Sequence, residues 1–208
     1  MNETLLYYNQ HADAFTADTV SVDFTETQDR FLQYMPEGAL ILDFGCGAGR
    51  DTRCFLAHGY RVDAVDGSEA MCRAAGSLTG IPVRQMLFQE LAEIDHYDGI
   101  WACASVLHLP TQELTDVLAR MIRALKAGGV MYLSFKYGNY EGERNGRYFT
   151  DLTEERFRDL LKSVREEELL TDSGEFPVFW ITGDVRPGRS GEKWLNILLK
   201  KRQPSVSQ

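Results

Sequence analysis

Residues 40–50 constrain the fold more than any other part of the 208-residue chain. They read LILDFGCGAGR, which is three apolar residues, then Asp43, then glycines at Gly45, Gly47 and Gly49. A continuous apolar run is typical of a strand that is buried on both faces of a parallel sheet. The glycines end this strand and let the backbone approach a ligand closely, while the free N–H groups of the next helix face the same turn. The stretch therefore predicts a nucleotide-binding turn at the edge of a parallel sheet.

The spacing of the glycines separates two classes of cofactor. The dinucleotide fingerprint G-x-G-x-x-G requires a third glycine where this chain has Arg50. The chain instead reads G-x-G-x-G, with an acid two residues before the first glycine. This pattern resembles the first motif of the class I S-adenosylmethionine (SAM)-dependent methyltransferases, in which the acid anchors the loop and the methionine half of the cofactor. The resemblance implies that SAM is the cofactor and that it is bound by Asp43, Gly45, Cys46, Gly47, Gly49 and Arg50.

Composition limits the class of partner. Apolar residues make up 44% of the chain and charged residues 25%, as in a typical globular protein, and the length suits a single domain over residues 1–208. The net charge of -9 disfavours a surface that binds nucleic acid by neutralising phosphates, so we expect a small-molecule substrate. A signal segment and a bilayer-length apolar stretch are both lacking, so we expect a cytoplasmic protein without a membrane partner. The four cysteines form no C-x-x-C pair, which indicates neither a metal site nor a disulfide framework.

Strand and helix patterns alternate as far as residue 136. After the first strand, apolar strand patterns occur at residues 60–65, 83–87, 97–103 and 130–136. Helix patterns separate them, and the longest, at residues 111–126, is followed by two glycines. Such alternation predicts an α/β protein with a Rossmann-like, doubly wound parallel sheet. A strand pair, one within 168–182 and one at 193–201, should complete seven strands, and the resemblance implies that the last strand is antiparallel.

Two helix patterns, at residues 3–15 and 25–35, precede the first strand. In the resembling family such an N-terminal pair forms a lid over the cofactor, and a tyrosine and a later aromatic residue approach its methionine end. Tyr8 and Phe15 match this description, although aromatic residues on an amphipathic helix also often face the core. We therefore divide the domain into a helical lid (1–36), a SAM-binding core (37–136), and acceptor-side loops with the closing strands (137–202).

The end of the second strand carries an acid. Ligands of open α/β sheets bind at the carboxyl ends of the strands, and an acid about 20 residues past the glycine turn accepts both ribose hydroxyls. Asp66 has this position, and although it could instead cap the next helix, Ser68 is available for that role. We also assign Gly67, Ser68 and Met71 to the cofactor site.

The resemblance extends to the adenine end of the cofactor. After the third strand, the family places an acid or amide at the adenine amino group and an apolar side chain against the ring. Gln89, Glu90 and Leu91 match this arrangement, although Glu90 could equally be solvated.

The loop after the fourth strand, residues 104–110, should lie against the sulfonium, because the sheet order reverses between the first and fourth strands. Ala104 and Ser105 are assigned to the cofactor. His108 could take a proton from an acceptor or merely position the loop, and Tyr137 is a second candidate base. The loop lacks both the Asn/Asp-Pro-Pro-aromatic motif of amino-methylating DNA enzymes and the Pro-Cys pair of cytosine C5 methylation.

Two polar loops, residues 137–150 and 183–191, are expected at the same edge, the first without obvious secondary structure. They would bring basic residues together over the methyl group: Lys136, Arg147, Arg186 and Arg189, with Tyr148 nearby. Guanidinium groups favour carboxylates and phosphates, so one hypothesis is an acceptor that carries an anionic group. The alternative is that these residues pair with acids of the same loops, Glu141, Glu143 and Asp184.

These observations leave several functional interpretations. The favoured one is a SAM-dependent methyltransferase, EC 2.1.1.-, that acts on a small molecule, as a monomer or homodimer. Within the superfamily the chain resembles the small bacterial enzymes described as tellurite-resistance-type or uncharacterised. The alternatives are a SAM-binding partner or regulatory subunit without transferase activity, a methyltransferase of protein or RNA, and an NAD-dependent oxidoreductase, which Arg50 and the placement of Asp43 disfavour.

Overall fold

A computed structural model describes residues 3–164, 170, 176–186, 188–189 and 191–203. Its strands are β1 Leu40–Phe44, β2 Arg61–Asp66, β3 Val83–Gln85, β4 Tyr97–Ala102, β5 Leu125–Lys136, β6 Glu141–Arg144, β7 Arg147–Thr150, β8 Val178–Gly183 and β9 Lys193–Lys200. Its α-helices are α1 Glu3–Gln10, α2 Ala12–Thr19, α3 Thr25–Leu32, α4 Arg50–Ala57, α5 Glu69–Thr79, α6 Thr111–Ala124 and α7 Glu154–Ser163. Short 3₁₀ turns cover Phe88–Glu90 and Val106–His108.

The seven-stranded sheet has the order β3-β2-β1-β4-β5-β9-β8. Strands β1 to β5 are parallel, and β9 is antiparallel to both of its neighbours. The predicted α/β sheet with an antiparallel last strand is therefore confirmed. Because the order reverses between β1 and β4, a crevice opens at their carboxyl ends, where open α/β sheets bind ligands.

Both faces of the sheet are buried, as the continuous apolar run predicted. Ile41 packs on one face with Phe55 of α4 and Trp101, whereas its neighbour Leu42 packs on the other face with residues of α6 such as Leu118. Successive strand residues point to opposite faces, so a run without polar interruption serves two cores at once. This double burial holds the carboxyl edge of the sheet in place.

The N-terminal helices differ from the prediction. The segment predicted as one helix over residues 3–15 is two helices, α1 and α2, which meet at His11 with φ of -116° and ψ of 19°. The imidazole stacks on Tyr7, with 4.3 Å between the ring centroids, and its Nδ1 bonds the Tyr7 carbonyl at 2.8 Å. These local contacts compete with continuation of a single helix.

The predicted loop at residues 137–150 contains a hairpin, β6–β7. Its turn residues Asn145 and Gly146 have φ of 51° and 73°, the backbone of a type I′ turn. Asn-Gly is the strongest short-range hairpin signal in a sequence, and our prediction overlooked it.

Three helix or strand boundaries also differ from the predicted ones. Helix α6 ends at Ala124, and the two glycines after it lie inside β5, which begins at Leu125. Strand β3 stops at Gln85, two residues early, because the chain then enters the 3₁₀ turn. The strand predicted within 168–182 is found as β8, while residues 165–169 and 171–175 lie outside the described residues.

Within the described residues, no helix combines the length and hydropathy needed to cross a membrane.

Candidate functional site

A cavity of about 950 Å³ lies at the carboxyl edge of the sheet and is covered by α1 and α2. The predicted cofactor residues that line it are Tyr8, Phe15, Gly45, Cys46, Gly47, Arg50, Asp66, Gly67, Met71, Gln89, Ala104 and Ser105. The predicted acceptor-side residues that line it are His108, Lys136, Arg147, Arg186 and Arg189. Asp43, Gly49, Ser68, Glu90, Leu91, Tyr137 and Tyr148 are not among the lining residues.

Asp66 organises the glycine loop. One carboxylate oxygen accepts the backbone N–H of Gly47 at 2.9 Å, and the other accepts the backbone N–H of Ser68 at 2.8 Å. Burial raises the pKa of Asp66, and these two hydrogen bonds oppose the rise. Each carboxylate oxygen retains a lone pair, so the side chain can still accept two hydroxyl groups from a ligand in the cavity.

The loop also approaches the segment after β4 closely. A Cβ on Gly45 would lie 2.5 Å from the Cβ of Ser105. The Ser105 hydroxyl donates to the Phe44 carbonyl at 2.6 Å, and the backbone N–H of Ala104 donates to Ser134 at 2.8 Å. The contacts of Ser105 join the two walls of the crevice between β1 and β4, and the bond to Ser134 attaches the same segment to β5.

Three residues assigned to the cofactor lie outside the lining of the cavity. Asp43 accepts the Thr52 hydroxyl at 2.5 Å, and burial together with the Asp51 carboxylate raises its pKa. Gly49 is the N-cap of α4. Ser68 caps α5 by accepting the N–H of Met71 at 3.2 Å. These groups already have structural roles in the protein, and the assignment of the three residues to the cofactor stays a prediction.

Arg50 presents a guanidinium group to the cavity. It bonds the Asp51 carboxylate through Nε and Nη2, both at 2.8 Å, and lies 4.4 Å above the Phe24 ring. Asp51 also accepts from Gln28 at 2.7 Å and from the Trp101 indole at 2.9 Å. Burial raises the pKa of Asp51, but the ion pair with Arg50 and these donors leave it below its ordinary value. This arrangement fixes the side chain of Arg50, and the sequence analysis missed its supporting residues.

The wall beyond β3 is formed by Leu87, Phe88 and Gln89 rather than by Glu90 and Leu91. The 3₁₀ turn directs the Glu90 carboxylate back to the N–H of Leu87 at 2.7 Å, and Leu91 is 1% exposed within the core. Glu90 and Leu91 therefore do not line the cavity, and their assignment to the adenine stays a prediction. The apolar pair Leu87-Phe88 directly after the strand was the available signal.

Helix α1 contacts both α2 and the start of α5. The rings of Tyr8 and Phe15 meet edge to face at 5.2 Å between centroids. Asn9 accepts the Ser68 hydroxyl at 2.8 Å and the N–H of Ala70 at 3.2 Å. Asn9 was not predicted, because an exposed asparagine in a helix carries no sequence signal for a contact with a residue 59 positions away.

Tyr8 and His108 form a hydrogen-bonded pair in the cavity. Nδ1 of His108 lies 2.6 Å from the carbonyl oxygen of Tyr148, and Nε2 lies 2.9 Å from the Tyr8 hydroxyl. A carbonyl only accepts, so Nδ1 carries the proton and Nε2 accepts from Tyr8. Burial lowers the pKa of His108 to about 4, so the ring is neutral at neutral pH.

Tyr137 and Tyr148, which were predicted on the acceptor side, do not line the cavity. The Tyr148 hydroxyl donates to Glu141 at 3.1 Å. Tyr137 is 37% exposed and bonds Glu154, which raises its pKa. Neither phenol faces the cavity, because alternate residues of a strand or hairpin point to opposite sides.

The basic residues line the cavity, but they differ in whether a carboxylate is paired with them. Lys136 is ion-paired with Glu192, and Arg186 bonds Asp184 at 2.5 Å. Only the Arg186–Asp184 pair is one that the alternative named. The pKa of Asp184 is lowered to about 2, since the bonds to Arg186 outweigh its desolvation. Glu141 instead bonds Thr111 and Tyr148.

Comparisons with known proteins find similarity to methyltransferases. Residues 41–129 match a family model described as "Methyltransferase domain". A solved structure of Burkholderia thailandensis 1,6-didemethyltoxoflavin-N1-methyltransferase, with bound 1,6-didemethyltoxoflavin and S-adenosylhomocysteine (SAH), aligns with a TM-score of 0.73 at 22% identity and covers 96% of this chain and 85% of that one. The chain has the class I SAM-dependent methyltransferase fold.

Other methyltransferase-fold relatives show how widely the function varies. Phosphoethanolamine N-methyltransferase 3 of Arabidopsis thaliana is 22% identical over 161 residues, which is 68% of this chain. This chain spans about a third of the length of that relative, 32%. The crystal structure of the [4+2]-cyclase SpnF aligns with a TM-score of 0.67 at 13% identity, covering 95% of this chain and 94% of that one.

Proposed function

We propose that the chain binds SAM and transfers its methyl group to a small-molecule acceptor that carries an anionic group. The observation that carries this proposal is one continuous cavity with Asp66 and the glycine loop at one end and Tyr8, His108 and basic residues at the other. Its volume of about 950 Å³ is near the upper end of the roughly 300–1,000 Å³ typical of ligand sites. A cofactor and an acceptor can share such a space.

The residues at the loop end fit SAM. Asp66 has the free lone pairs to accept both ribose hydroxyls, and its position is held by the loop backbone. Met71, Leu87 and Phe88 offer an apolar surface for the adenine, and Arg50 offers a positioned cation for the methionine carboxylate. When bound, SAM supplies an electrophilic methyl group, so the protein has to align the acceptor and exclude water rather than activate the methyl donor.

The lowered pKa of His108 favours a positioning role over that of a base. A base with a pKa of about 4 is three units from neutrality, so protonating it at pH 7 costs about 4 kcal/mol. His108 therefore orients the Tyr8 hydroxyl instead of holding a proton from the acceptor. Because Tyr8 donates to His108, its oxygen keeps lone pairs that can accept from an acceptor N–H or O–H. An acceptor that needs no strong base, such as an amine, suits this site best.

The test is calorimetric titration of the purified chain with SAM, SAH and NAD, followed by assays of SAH formation with pooled small molecules that carry amines and anionic groups. Binding of both adenosyl ligands, and SAH formation that depends on one pool, are expected. Binding of NAD alone would refute the proposal.

A second candidate is a SAM-binding protein without transferase activity. The similarity to SpnF supports this second candidate, since that protein has this fold and is named as a cyclase. Intact SAH binding without turnover on small molecules, protein or RNA would support this second function over the first.

A further inference from the structure

The basic residues of the cavity are not equivalent. Lys136, Arg144 and Arg186 each have a carboxylate partner, respectively Glu192, Asp151 and Asp184. Among the residues that the structure describes, no carboxylate lies within ion-pair distance of Arg147. Arg189 likewise has no carboxylate within ion-pair distance among these residues, so ion pairing alone leaves Arg147 and Arg189 as the uncompensated cations of the cavity.

Aromatic rings surround Arg147. The guanidinium carbon lies 4.5 Å from the ring centroid of Tyr7, 5.2 Å from that of Phe149 and 5.8 Å from that of Tyr8. Contacts with ring faces orient a guanidinium without using its N–H groups, because the attraction is to the π electrons. The side chain is thus held while most of its donors are available.

One of these donors has no partner. Nε of Arg147 is buried and makes no hydrogen bond within the described part of the chain. Nη1 makes only a long contact, 3.5 Å, to the Tyr8 hydroxyl. A buried N–H without a partner costs about 1–3 kcal/mol, and natural structures rarely leave one unless a ligand satisfies it.

We propose that Arg147 binds the oxyanion of the acceptor, a carboxylate or a phosphate, side-on through Nε–H and a neighbouring Nη–H. This geometry is the bidentate pairing for which a guanidinium is suited. The inference rests on the proposed function and makes it more specific: of the four predicted cations, Lys136 and Arg186 are paired, and Arg147 is distinguished from Arg189 by its buried Nε–H without a partner. The β6–β7 hairpin places Arg147 beside Tyr8. The hairpin is then the element that selects the acceptor.

The experiment measures thermal unfolding of the SAH-saturated protein with added benzoate, inorganic phosphate or the neutral analogue benzamide, at constant ionic strength. A ligand of the native state raises the unfolding temperature by mass action. We expect benzoate, phosphate or both to raise it in the wild type and benzamide not to, and the more effective anion identifies the oxyanion class.

Two matched variants locate the effect. Arg147→Met should weaken the apparent anion affinity at least about tenfold, as expected for lost charged hydrogen bonds, with the affinity for SAH unchanged. Arg144→Met removes the same charge from the same cavity, but from a group already paired with Asp151, and should retain most of the anion response.

Three results would overturn the inference: equal responses to benzoate, phosphate and benzamide, an undiminished response in Arg147→Met, or equal losses in both variants. Failure of the wild type to bind SAH is a different result, which refutes the proposed function. The anion titration of the SAH-free protein then still tests Arg147.

Discussion

The close approach of the glycine loop to the segment after β4 can be tested by comparing two glycines with the same backbone. Gly45 in the loop has φ of 82°, and Gly59 after α4 has φ of 83°. A Cβ on Gly59 would meet nothing within 4 Å, whereas one on Gly45 would lie 2.5 Å from Ser105 and 3.1 Å from Phe88. The conformational cost of alanine is therefore the same at both positions. The two variants differ only in the steric conflict, which arises at Gly45.

The expected magnitudes follow from these distances. A left-handed conformation costs an alanine about 1–2 kcal/mol, and the change in the unfolded chain is common to both variants and cancels. Overpacking a closed site adds roughly 1–3 kcal/mol. Gly45→Ala should therefore unfold with a free energy about 1–3 kcal/mol lower than that of Gly59→Ala. For a chain of this size, that difference corresponds to roughly 2–12 °C in unfolding temperature.

The assay is urea unfolding followed by circular dichroism, with SAH titration of both variants. Displacing the loop at Gly45 should disturb the Gly47–Asp66 hydrogen bond and weaken SAH binding about tenfold or more, while Gly59→Ala should bind as the wild type does. If the two variants unfold at the same urea concentration and bind SAH equally, the reasoning about the close approach is wrong.

Three further predictions concern single side chains. Asp66→Asn should weaken SAH binding about tenfold to a hundredfold in calorimetry, because one of its oxygens becomes a donor; unchanged affinity would exclude a ribose-binding role. Asn9→Leu should speed SAH dissociation in stopped-flow measurements, whereas Asn9→Asp, which still accepts from Ser68, should restore slow release; equal rates would show that α1 is not held by this contact. His108 has a pKa of about 4 in the folded chain against about 6.5 when unfolded, so its contribution to stability is complete above pH 6.5 and is lost as the pH falls toward 4. That loss amounts to about 3 kcal/mol and should be absent from His108→Gln in calorimetric unfolding at pH 7 and 4.5; parallel pH profiles would contradict it.

Much of the fold follows from local patterns. The run at 40–42 predicted a strand buried on both faces, and alternation of strands and helices predicted the sheet, because side-chain periodicity reports directly on which faces are covered. The hairpin at 141–150 was equally readable from Asn145-Gly146, and its omission is an error of interpretation. The bend at His11 was less accessible, since it depends on a ring stack that competes with a regular helix.

The candidate site also combines features that can be read from the sequence with features that cannot. The glycine turn, the acid at the end of β2 and the basic character of the acceptor side follow from the sequence alone, because spacing along one strand–turn–helix unit dictates which backbone groups face a ligand. Three-dimensional packing sets which neighbouring side chains line the cavity: Leu87 and Phe88 do, whereas Asp43, Ser68, Glu90 and Leu91 do not. It also decides that Lys136 and Arg186 are neutralised while Arg147 keeps an unpaired donor. Contacts such as Lys136–Glu192 and Arg147–Tyr8 join residues far apart in the chain, and they are set by side-chain packing that no local pattern records.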